Sequence, residues 1–206
     1  MNLEGIMKKS FYWIIGYIVV YISSFLHELA HSLLAVLFGI KHGIFDIHYT
    51  FSTFGISEKV DYRLVATLPN WQGILIAGSG LIANGLAIIL GLCLLQFCKK
   101  PLTVFVVFSF TFFNVAEWVN YFTIRNIFPL GDIEHMVQFG FPRTMLLIMG
   151  IASSLFFIYL LFFPARKYIN TQIIHSEEMQ NNILHLMIIV FIIFEFAILL
   201  NGLFMY

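Results

Sequence analysis

The chain has 206 residues, 60% of them hydrophobic and 11% charged, with 11 basic residues against 11 acidic ones. Soluble domains carry about 25% charged residues, so a water-soluble globular domain is excluded and an integral membrane protein is implied. Zero net charge without a basic cluster leaves no electrostatic footprint for nucleic acid.

A membrane span needs about 20 apolar residues. Five segments reach that length: Phe11–Phe38, Gln72–Phe97, Leu102–Phe122, Thr144–Phe163 and Ile183–Tyr206. Lys8 and Lys9 before the first resemble the start of a signal peptide. The apolar run is too long for one and lacks a small-residue cleavage site, so it is read as a retained helix. Gly39 ends the first segment, Pro69 precedes the second, Pro101 opens the third, Pro142 precedes the fourth and Pro164 closes it. Asn170–Asn182 is the polar connector before the last. Cys93 and Cys98 lie five residues apart in or beside an apolar segment and read as packing thiols, not a disulfide.

The stretch between the first two spans differs in kind. Phe45, Ile47, Tyr49 and Phe51 alternate with Asp46, His48 and Thr50, the two-residue period of a strand. Val60, Tyr62, Leu64 and Ala66 alternate similarly, with turn residues Phe54-Gly55-Ile56-Ser57 between the two runs. A small β-hairpin at the membrane surface is expected, with an edge able to hold an extended peptide. The fold class is therefore all-α and polytopic, with about five transmembrane helices and this hairpin after the first. One membrane-embedded domain accounts for residues 1–206, with a core over 11–140 and additional spans over 143–206.

The chemistry lies in His27-Glu28-Leu29-Ala30-His31, inside the first apolar run. Ionisable groups are expensive in hydrocarbon, so their presence there points to function. His27 and His31 stand four residues apart on one helical face and suit a single metal ion, with Glu28 placed to take a proton from water beside it. Catalytic zinc usually has three protein ligands, so another is needed at the same membrane depth. Two further spans return the chain to that side near residue 123, just before Asn126-Ile127-Phe128-Pro129-Leu130-Gly131-Asp132-Ile133-Glu134-His135. Asp132, after a Pro/Gly break, is the best third ligand, and His135 and Glu117 are the alternatives. Glu117 also forms a polar face with Asn114 and Asn120 in the third span, read as a buried hydrogen-bonded seam, with a water or substrate path to the metal as the alternative. Glu195 and Asn201 mark another seam in the last span.

These motifs resemble the site-2 proteases, the intramembrane zinc metalloproteases. Their pattern is HExxH on one helix, Gly-x-x-x-Asn on the next and Asn-Pro…Asp-Gly on a third. His27-Glu28-Leu29-Ala30-His31, Gly80-Leu81-Ile82-Ala83-Asn84 and Asn126…Pro129…Asp132 follow it in order. Leu81 and Ile133 stand where the family has proline and glycine. The resemblance implies one zinc ion on His27, His31 and Asp132, Glu28 as general base, and Asn84 positioning substrate or the developing oxyanion. It also implies a cell-membrane protein with its site nearer the cytoplasmic face. The substrate would be a membrane-spanning or membrane-associated protein or peptide reached within the lipid bilayer, with room for a regulatory membrane partner. The competing expectations are a membrane metal- or haem-binding protein or transporter, and an inactive pseudoprotease of the same fold.

Overall fold

The computed structural model describes residues 3–50, 55–128 and 130–162. Helix α1 (Leu3–Leu37) leads into a two-stranded antiparallel sheet, β1 (His48–Thr50) and β2 (Gly55–Ser57). Then come α2 (Tyr62–Val65), α3 (Asn70–Leu95), α4 (Pro101–Phe122), α5 (Ile124–Ile127), α6 (Asp132–Gln138) and α7 (Arg143–Phe162). Among the described residues four helices are long and apolar enough to cross a membrane, over Phe11–Leu37, Asn70–Leu95, Leu102–Ile127 and Arg143–Leu161. The chain is an all-α polytopic membrane protein with a small sheet after its first span. The expected fifth span, the polar connector, Glu195 and Asn201 lie outside the described residues.

Helix α1 shows how sequence period becomes packing. Ile14, Ile18, Ile22 and Leu26 recur every four residues and are exposed, so they form an apolar outer stripe. Val19, Val20, Ser23, His27 and His31 lie on the buried side. A helix whose outer face is as apolar as its inner one suits a lipid surround. Helix α1 ends at Gly39, whose φ of +76° favours glycine. The Gly39 and Ile40 amides close back onto the Val36 and Ala35 carbonyls, at 3.0 and 2.8 Å.

Helices α1, α3 and α4 pack against one another, and α4 also packs against α7. Small residues on α3 make those approaches close. A Cβ on Gly85 would come within 2.9 Å of the Trp118 ring. That ring is in turn fixed by its indole N–H donating to Ser153 Oγ on α7 at 2.9 Å. The core runs from Ala77, Leu81, Tyr121, Phe122, Ile133, Met136 and Leu146 into Ile88, Phe112, Phe157 and Leu161.

The hairpin is present, but its second strand is not where alternation alone put it. β1 pairs with β2 in the register His48–Ser57, Tyr49–Ile56 and Thr50–Gly55, so the expected turn residues form the strand. Residues 62–65 form α2 instead. Asp61 caps it, its carboxylate accepting from the Arg63 amide at 2.9 Å while its carbonyl accepts from the Leu64 and Val65 amides. A local cap outweighed a four-residue alternation because short helical turns and short strands both tolerate an apolar residue at every second place.

Candidate metal centre

Three side chains from two distant parts of the chain converge. His27 Nε2 lies 3.0 Å from Asp132 Oδ2, His31 Nε2 lies 3.2 Å from the same oxygen, and the two Nε2 atoms are 3.2 Å apart. All three residues are buried. Asp132 reaches this point because Gly131, at φ +62° and ψ −133°, turns the chain into α6 in a conformation that glycine adopts and other residues avoid.

The other edge of each imidazole fixes its tautomer. His31 Nδ1–H donates to the Ile76 carbonyl at 2.7 Å, and Ser79 Oγ, which donates to the same carbonyl, stands 3.2 Å from Nδ1. His27 Nδ1–H donates to Asn84 Oδ1 at 3.3 Å. With both Nδ1 atoms protonated, both Nε2 atoms present lone pairs to the shared point. Two lone pairs and a carboxylate oxygen facing one another at this distance require a cation, or a shared proton, among them.

Geometry fits a metal ion. Ligand atoms about 2.0–2.1 Å from a tetrahedral centre stand about 3.3 Å apart, close to the 3.0–3.2 Å observed. The space is kept open by α3: a Cβ on Gly80 would collide with Nε2 of both His27 and His31. The buried His27–His31–Asp132 group can therefore hold a metal ion.

Of the alternative ligands, His135 stacks on Tyr62, ring centroids 3.7 Å apart, and pairs with Gln138, outside the converging group. Glu117 stays half-buried on α4, also outside it. Glu134 accepts from Gln138 on the same helix. Asn114 donates within α4 to the Phe110 carbonyl at 2.8 Å and, like Asn120, is buried. Asn126 braces the approach to α6: its backbone carbonyl accepts from Arg143 Nε at 2.9 Å, tying α5 to α7. Pro129 lies outside the described residues. Asn84 is buried beside His27, and its Nδ2 has no hydrogen-bond partner among the described residues. Leu81 and Ile133, the two departures from the family pattern, belong to one buried cluster that also contains Tyr121.

Several site neighbours carry no signal in the sequence. Glu58, just after β2, places its backbone N–H on Glu28 Oε2 at 3.1 Å. Glu58 reads as an ordinary loop charge until the fold brings it back across 30 residues to α1. Lys41 holds that loop. Its ammonium donates to Ser32 Oγ at 2.7 Å, to the Asp46 carbonyl at 2.6 Å and to the Glu58 carbonyl. Lys41→Met is expected to leave these acceptors unpaired and to cost about 2–4 kcal/mol. Denaturation of the purified protein in detergent would measure it, and a protein as stable as wild type would remove Lys41 from this role. Phe25 stacks on Tyr49 as a second attachment of the hairpin to α1.

No protein-family model, curated protein or solved structure matches the chain.

Proposed function

We propose that this protein is a membrane-embedded zinc metallopeptidase of the site-2 protease type, hydrolysing peptide bonds of membrane-spanning or membrane-associated substrates in the cell membrane. The observation that carries this reading is the convergence of His27, His31 and Asp132 beside Glu28 within a bundle of apolar helices. The order of the three motifs along the chain supports it.

A zinc ion on these three residues would supply polarisation of the scissile carbonyl and acidification of water. His27 and His31 contribute neutral Nε2 atoms, and Asp132 contributes the negative charge. Glu28 takes the proton from the attacking water and passes it to the departing amine. Asn84 braces His27 through Oδ1 and has a buried Nδ2, without a partner among the described residues, to offer to substrate. The hairpin lies over Glu28, so an extended peptide laid along its edge would be delivered to the general base.

The test uses the full chain purified in detergent. Zinc content is measured by elemental analysis, and cleavage of a single-span substrate by mass spectrometry. One zinc per chain with cleavage that chelation abolishes supports the reading; no zinc, or cleavage indifferent to chelation, sinks it. Structural zinc sites bind with about 10–16 kcal/mol in all, so one ligand accounts for about 3–4 kcal/mol. Asp132→Asn is thus expected to weaken zinc binding several-hundred-fold, as a chelator competition would show. Unchanged affinity would remove Asp132 from the ligand set.

A further inference from the structure

We infer that Tyr121 is a further catalytic residue, whose hydroxyl donates to the scissile carbonyl oxygen as that oxygen gains charge; this rests on the metallopeptidase reading. Tyr121 sits at the end of α4, is buried, and stacks on His27 with ring centroids 5.2 Å apart and planes 25° apart. The Arg125 guanidinium lies 4.0 Å from the centre of the same ring. These contacts set the ring's position and leave its hydroxyl 3.3 Å from His27 Nε2.

That nitrogen is one corner of the converging triangle. Asn84 meets the same imidazole at Nδ1, on the edge turned away from Asp132 and His31. Two polar side chains thus grip His27 from opposite edges, and only Tyr121 is on the edge where a cation would sit. With the Nε2 lone pair given to a cation, the Tyr121 hydroxyl loses its acceptor. A buried hydroxyl without a partner is costly, so it takes the next acceptor at that place, the carbonyl oxygen of the peptide being cut. When water adds to the carbonyl carbon, the π pair moves onto this oxygen and the water's proton goes to Glu28. Tyr121 keeps its own proton and shares it with the oxyanion, the arrangement by which preorganised donors accelerate acyl transfer.

Tyr121→Phe keeps the ring and its stacking on His27 and removes the oxygen alone. The probe is acetohydroxamate, a small oxyanion ligand without sequence preference, titrated into the cobalt(II)-loaded full chain and followed by the visible bands of the metal. The variant is expected to take up cobalt like wild type and to bind acetohydroxamate about 10- to 100-fold more weakly. Its kcat on a single-span substrate is expected to fall by about 100-fold with KM unchanged. Equal acetohydroxamate affinity in the two proteins overturns the inference. So does a wild type that takes up cobalt but no acetohydroxamate, or a variant that loses cobalt, which would make the hydroxyl a metal ligand or a structural prop. A wild type that takes up neither cobalt nor zinc overturns the underlying reading instead.

Discussion

Glu28→Gln is expected to keep the wild-type metal content and to lose about 10²- to 10⁴-fold in peptide cleavage, the usual contribution of a general base. The substitution is nearly isosteric. Its side-chain oxygen can still accept from the Glu58 amide, which reaches Glu28 at 3.1 Å. The fold and the three converging ligand atoms therefore have no reason to move, and only the ability to take a proton is lost. Metal content and cleavage, measured on the same preparation, separate the two roles. Cleavage at the wild-type rate would remove Glu28 from the chemistry and with it the peptidase mechanism. Loss of metal together with cleavage would make Glu28 a support for the hairpin against α1.

Gly80→Ala is expected to cost at least about 100-fold in metal affinity. Alanine favours a helix over glycine by about 1 kcal/mol, so local propensity predicts a gain. Packing predicts the opposite, because the added methyl would collide with Nε2 of both His27 and His31. Either it fills the point where the ligands meet, or α3 backs away. Retreat of α3 would carry the Ile76 carbonyl off His31, now at 2.7 Å, and Asn84 off His27. Losing such partners alone typically weakens a metal site 10- to 100-fold. Gly78→Ala is the control on the same helix, since its Cβ would meet only the flexible end of Met136, at 3.3 Å. Competition with a chromophoric chelator would rank the three proteins. Equal affinity for wild type and Gly80→Ala would place the metal somewhere other than between these histidines.

Both predictions draw on features that differ in how far they could be read from the chain. His27, Glu28 and His31 were legible because four-residue spacing is a local property of one helix, and an apolar run around it is visible by composition. The first four spans were legible for the same reason: hydropathy over a turn or two needs no partner. The hairpin was legible in existence but not in placement. Asp61 capped α2 where alternation implied a strand, and two short elements of similar pattern are separated only by hydrogen bonds that the pattern does not encode.

What the sequence by itself determined is a membrane bundle with a histidine pair and a carboxylate in its first helix, because period and polarity act over neighbouring residues. It also singled out Asp132 as the best third ligand, by following the chain back to the same depth. The tertiary structure alone decided that Asp132 closes on His27 across 105 residues while His135 turns to Tyr62. It alone showed that Gly80 keeps the space between the histidines open, that Glu58 returns to Glu28, and that Tyr121 stands at the metal-facing edge of His27. Each of these depends on how closely two helices approach and which way a buried side chain is turned. Those quantities are set by packing between distant segments, and no local pattern carries them.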